Sequence, residues 1–109
     1  MAGFIKGDIV VIPFPFSDLS GSKRRPAYVL ADLPGDDIIL CPITSQYSRD
    51  SFAVLLTETD FASGSLPAVS FVRLTRIFTA DKNIIVRKTV TVKSETKEKV
   101  FQRLIDLLK

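Results

Sequence analysis

The 109-residue chain contains no histidine, no tryptophan, one cysteine and only five glycines. Each shortage excludes something. Without imidazole, the commonest general base and the usual catalytic triads are gone. One cysteine and no histidine leave no zinc ligand set. The adjacent Asp36 and Asp37 make a poor magnesium site, because neighbouring residues of a strand or turn point apart. No metal or other cofactor is expected. Cys41, set in IILCPIT, reads as a buried structural thiol, and no disulfide can form within the chain. There is no Walker loop, dinucleotide fingerprint or nucleophile elbow. No stretch approaches the roughly 20 apolar residues of a membrane span, and MAGFIKGD carries no signal-peptide core. These absences read as a cytoplasmic protein with no membrane partner.

What is present is a well-supplied core. With 46% hydrophobic residues, 109 residues suffice for one domain, 1–109, that needs no covalent staple. The net charge of +3 is modest, but its distribution is uneven. Residues 1–72 hold five Lys/Arg and eight Asp/Glu, net −3, whereas 73–109 hold ten and four, net +6. An anionic partner would favour the C-terminal third together with Lys23, Arg24 and Arg25.

The stretch from Gly7 to Leu30 organises the rest. Asp8 to Phe14 is an apolar run, β-branched at positions 9 to 12, which predicts a strand covered on both faces. Pro13 and Pro15 should interrupt pairing on at least one edge and take the chain out of the sheet. A polar, basic loop from Ser17 to Arg25 is expected next. Pro26 then holds Arg25 extended at the mouth of a second strand, Ala27 to Ala31.

Further strands are predicted at Ile38 to Pro42, Phe52 to Leu56, Ala68 to Leu74 and Ile84 to Val92. Arg76 to Thr79 would continue the fifth after a kink. Residues 57–67, with Thr59 as a cap, read as one helical turn or an irregular loop. Between 68 and 74, Val69, Phe71 and Arg73 alternate with Ser70, Val72 and Leu74, so Arg73 is desolvated unless an anion or a groove meets it. From Ser94, read as the cap, the period changes. Val100, Phe101, Leu104, Ile105, Leu107 and Leu108 form the stripe of an amphipathic helix. Short strands and one helix predict a mainly β fold, α+β by content: a small curved barrel or sandwich with the helix across it.

Arginine, threonine, serine and lysine are what remain for chemistry. Guanidinium groups bind phosphoryl oxygens bidentately, and RNA supplies its own 2′-hydroxyl nucleophile. Such a site could cut RNA where it could hardly cut DNA.

Three blocks, GDIVVIPFPFSDLSGSKRRPAYVL at 7–30, ILCPITSQ at 39–46 and SFVRLTRIFTADK at 70–82, resemble in order and spacing the MazF/PemK family of toxin–antitoxin ribonucleases. The resemblance implies an SH3-like barrel with a C-terminal α-helix, shared with the Kid and CcdB toxins, and a homodimer. It also implies metal-independent, ribosome-independent cleavage of single-stranded RNA, usually mRNA, at short preferred sequences, and inhibition by an antitoxin with an acidic, disordered tail. The family's arginine before proline matches Arg25, and its hydroxyl residue at the strand end matches Thr44. These are the catalytic candidates. Ser20, Ser22, Lys23, Arg24, Gln46, Arg73 and Arg76 are candidates for holding RNA, and Thr79 falls in the third block.

Where many relatives carry an aspartate two residues after that block's arginine, this chain has Thr75. Tyr28 and Tyr47 could stack bases or pack inside. Phe14, Phe16, Phe52, Phe61, Phe71 and Phe78 read as core or dimer contacts. Two other functions stay open on the same barrel: a gyrase-binding toxin similar to CcdB, though that relative's C-terminal Trp-Ile is missing here, and a catalytically weak toxin that acts as a DNA-bound co-repressor with its antitoxin. A peptide-binding SH3 module lacks its aromatic groove.

Overall fold

The computed structural model describes residues 3–15, 22–46 and 50–109. Phe16, Ser20, Tyr47 and the side chains of Phe14 and Ser22 lie outside the described residues.

Among the described residues the elements are β1 (Asp8–Pro15), β2 (Ser22–Asp32), β3 (Asp37–Thr44), β4 (Val54–Leu56), β5 (Phe61–Gly64), β6 (Ser70–Val72), β7 (Phe78–Asp81), β8 (Arg87–Val92) and α1 (Ser94–Leu108). They form a curled antiparallel sheet in the order β4-β6-β3-β2-β1-β8-β5, with β7 on the first half of β3. This half-barrel with one C-terminal helix is the small SH3-like fold expected.

The apolar run of β1 is covered on both faces because its residues alternate between two cores. Ile9, opposite Tyr28, which is opposite Cys41, joins Val72, Leu74, Val90 and Val100 beneath the helix. Val10, opposite Ala27, joins Ile12, Val29, Ile38 and Leu40 inside the curl. Cys41 is buried, and burial pushes its thiol up to about 12, so it is inert as a nucleophile. Tyr28 is packed in the core, which removes it as a base-stacking surface, and desolvation raises its phenol. Along the helix, Val100 is buried and Leu104 and Leu107 pack on the core, but Phe101 and Leu108 stay exposed.

Several boundaries differ from expectation. The prolines do not end the hairpin: β1 and β2 stay paired through Pro13↔Arg24 and Pro15↔Ser22. The reason is parity. The Val11 carbonyl faces outward and accepts from Val86 N at 2.8 Å, so positions 13 and 15 turn their missing N–H to that same outer edge, where β8 has already stopped. Lys23, Arg24 and Arg25 are therefore strand residues, not loop residues.

Residues 61–64, expected as loop, form β5 on β8. There Gly64 has φ 81°, and a Cβ would lie 2.0 Å from the Thr89 carbonyl oxygen. Thr59 caps nothing: a 3-10 turn spans Glu58–Asp60, and the Asp60 carboxylate accepts from Thr57 N at 2.8 Å. Arg76 ends a second 3-10 turn, Leu74–Arg76, instead of extending β6, and a third, Lys82–Ile84, delays β8 to Arg87. Phe52 lies outside β4.

Helix α1 starts one residue earlier than a Ser94 cap requires. Lys93 is the N-cap without a side-chain bond, and Asp60 anchors the helix start instead, its carbonyl accepting from Lys93 N at 2.8 Å and its carboxylate from Thr96 Oγ1 at 2.9 Å.

Candidate nucleic-acid interface

One end of the sheet gathers the end of β1, the start of β2, the end of β3 and the starts of β6 and β8. It carries a groove of about 800 Å³. Lys23, Arg24, Arg25 and Arg87 line it, as do the hydroxyl residues Ser45, Ser65, Ser70 and Thr89, over apolar Ile43, Leu66 and Pro67. Among the described residues the lining includes no carboxylate. Guanidinium and ammonium groups gathered around one depression raise its positive potential, which favours a polyanion there.

Strand register explains how the candidates come together. Arg25 is opposite Ile12 in the hairpin, and Ala27 is opposite Pro42. Carried two residues further, the β2–β3 register brings Arg25 level with Thr44, and residues level across antiparallel strands share a face. Thr44 is in turn paired with Phe71, and Arg73 N donates to the Pro42 carbonyl at 2.9 Å. Arg25 on β2, Thr44 at the end of β3 and Arg73 just past β6 thus fall on one side of the sheet.

Alternation puts Ile43, Val72 and Leu74 on the other side, where they are buried. Hence Ile43 and Ser45 line the groove and Thr44 between them does not. The same alternation divides the basic triplet. Lys23 and Arg25 share a face, while Arg24 shares its face with Arg87 by way of Pro13 and Val11.

Thr44 Oγ1 accepts from Gln46 N at 3.1 Å, which closes a small turn at the end of β3; a hydroxyl that accepts one bond still has its O–H to donate. Gln46 and Arg76 are exposed, and Arg25 and Arg73 are half-buried. Arg73 Nε is buried without a hydrogen-bond partner among the described residues. That fits the desolvation expected from the alternation of 68–74.

Two residue groups were not anticipated. Arg87 and Thr89 enter the groove because β8 pairs with β1, a long-range neighbour that local pattern does not announce. Asp50 meets Thr75 across 25 positions of sequence: Thr75 Oγ1 donates to Asp50 Oδ2 at 2.7 Å. With this bond first, then the Phe52 amide and the Arg73 and Arg103 guanidiniums, the Asp50 carboxyl is held below the usual carboxylate range despite some desolvation.

No curated protein matches the chain. Among solved structures it is similar to an endoribonuclease from a mycobacterial species, at 17% identity and TM-score 0.73, covering 99% of this chain and 93% of that one. It is similar to MazE-MazF from Deinococcus radiodurans, at 21% identity and TM-score 0.74, covering 99% and 97%. Similarity also extends to the Mycobacterium tuberculosis toxin MazF-mt6, at 13% identity and TM-score 0.74, covering 93% and 95%. At these identities the likeness is one of fold. The family model for PemK-like, MazF-like toxins of type II toxin–antitoxin systems matches residues 5–108, nearly the whole sequence. The chain therefore belongs to the PemK-like, MazF-like toxins of type II toxin–antitoxin systems.

Proposed function

We propose that this chain is an endoribonuclease toxin that cuts single-stranded RNA, chiefly mRNA, with no metal ion. The observation that carries the reading is the groove that Lys23, Arg24, Arg25 and Arg87 line, with no carboxylate among its described residues. In this reading a strand of RNA lays its phosphates along Arg24 and Arg87, then crosses Arg25 towards Thr44 and Arg73. Lys23, Gln46, Arg76, Ser20 and Ser22 hold the flanks.

At the scissile linkage the substrate's 2′-hydroxyl gives up its proton to water and its oxygen attacks phosphorus, while the bond to the 5′-oxygen breaks and that oxygen takes a proton from water. The products are a 2′,3′-cyclic phosphate and a 5′-hydroxyl. Arg25 stabilises the charge that builds on the non-bridging oxygens, and the Thr44 hydroxyl donates to one of them. Arg25 is not a base, since a guanidinium offers N–H donors and no acceptor. Family membership supports the toxin role, and the structures named endoribonuclease and MazE-MazF support the activity and an antitoxin partner. The antitoxin's acidic tail would suit the same basic end. A homodimer would cover exposed Ile77, Ile84 and Val86, the last beside Arg87.

The test is cleavage of naked RNA by purified protein in the presence of chelator. The wild type should cut, and Arg25→Ala and Thr44→Ala should each lower the rate about 10²- to 10³-fold with an unchanged circular dichroism spectrum. Full cutting by both variants would refute the assignment.

A further inference from the structure

Asp50 lies against the turn that follows β6. Its carboxylate accepts from Thr75 Oγ1 at 2.7 Å and from Phe52 N at 2.9 Å, and its carbonyl accepts from Ala53 N at 3.1 Å. Helix α1 braces the same place: Arg103 donates to the Ser51 carbonyl and lies over the Phe52 ring, 5.2 Å from its centre. Thr75 belongs to the turn whose first carbonyl, that of Arg73, accepts from Arg76 N at 3.0 Å. Asp50 thus grips the turn at Thr75 and attracts the guanidinium of Arg73. Arg73 is level with Pro42, so the alternation of β6 carried one residue on sets it on the Thr44 side of the sheet, and its Nε is buried and unbonded among the described residues.

An arginine side chain has about four rotatable bonds, and fixing it before substrate arrives removes an entropy cost from the bound complex. A single charge repelling the RNA is the counter-effect. The two act on different steps: the repulsion weakens binding of the whole strand, whereas the fixed guanidinium helps only when charge builds at one phosphate.

We propose that Asp50 is a positioning residue that holds Arg73 on the Thr44 side of the sheet, so that this cation meets the reacting phosphate in a preset place. The inference rests on the ribonuclease reading and assigns a task to a carboxylate outside the three blocks that mark the family. It also gives Thr75 a role, as the hydroxyl through which Asp50 holds the turn.

The experiment compares wild type, Asp50→Asn, Asp50→Ala and Thr75→Val in steady-state cleavage of a short single-stranded RNA. Binding is measured with the same oligonucleotide carrying 2′-O-methyl groups, and melting temperature is recorded for each protein. Asp50→Asn keeps an oxygen for Thr75 and Phe52 N but loses the charge on Arg73. It should cut about tenfold more slowly with KM unchanged or lower, and bind the methylated strand at least as tightly as wild type. Asp50→Ala should fall further, towards a hundredfold, and Thr75→Val should resemble Asp50→Asn.

Equal cutting by all four proteins would overturn the inference and leave the ribonuclease reading standing. So would losses of rate that simply follow losses of melting temperature, or weaker binding of the methylated strand by Asp50→Asn with kcat intact. A wild type that cuts no RNA would remove both readings together.

Discussion

The two ends of the sheet treat charge in opposite ways. At the end where β1 and β3 begin and β2, β7 and β8 finish, carboxylates predominate and each described contact joins opposite partners. Lys82 Nζ is 2.7 Å from Asp32 Oδ1 and donates to the Leu33 and Gly35 carbonyls at 2.7 and 2.8 Å. Buried Asp8 accepts from Ile5 N at 3.0 Å, with Lys88 Nζ 4.0 Å away. The other end collects Lys23, Arg24, Arg25 and Arg87 in one groove, with no carboxylate in its lining among the described residues. The first pattern is what folding alone favours, since a charge near the surface finds a partner at little cost. The second sets like charges side by side, which suits an anionic partner.

That contrast can be broken by removing one cation from each end. Arg87→Ala should weaken binding of a 2′-O-methylated strand several-fold and reduce the slope of log affinity against log salt by about 0.7 for one lost phosphate contact. Its melting temperature should stay within the range of ordinary surface changes, about 0.5 kcal/mol. Lys82→Ala should do the reverse. Loss of a partly exposed ion pair and two carbonyl contacts should cost about 1 kcal/mol, or roughly 4 to 8 °C in melting temperature, with an unchanged salt slope. If both variants change binding alike, the ends do not differ in purpose.

A smaller effect sharpens the same comparison through pH. Burial opposes charge on Asp60, but Thr57 N and Thr96 Oγ1 donate to it and Lys99 attracts it, so the carboxyl lies below its ordinary value in the folded chain. On acidification the unfolded chain takes up this proton first, near pH 4. The contribution to stability is complete above that pH and is lost as pH falls through the lower folded value. Asp60→Asn should be less stable than wild type by about 1 kcal/mol at neutral pH, and the gap in melting temperature should close below about pH 4.

Much of this architecture is legible in the chain because alternation and chain punctuation are local. The β-branched run at 9 to 12, the proline after Arg25, the alternation around Val72 and the 3.6-residue stripe of the helix each report a neighbour a few positions away. The errors share a different cause. Whether Lys23 to Arg25 are loop or strand depends on which edge Pro13 and Pro15 present, and that is set by where β8 stops. Whether residues 61–64 form a strand depends on β8 as well.

The helix start has the same cause, since its anchor, Asp60, is more than thirty residues away. At the proposed site, Arg25 is visible through the proline after it and Thr44 through the family resemblance. Arg87 and Asp50 are not, because their significance lies wholly in pairing across the sheet.

The most direct measurement maps both ends of every cut made in a long single-stranded RNA by the purified wild-type protein in EDTA. The account predicts discrete cuts that leave 2′,3′-cyclic phosphates and 5′-hydroxyls, and their disappearance with Arg25→Ala. An intact RNA, or cuts that leave 3′-hydroxyls and 5′-phosphates and vanish with chelator, would contradict it.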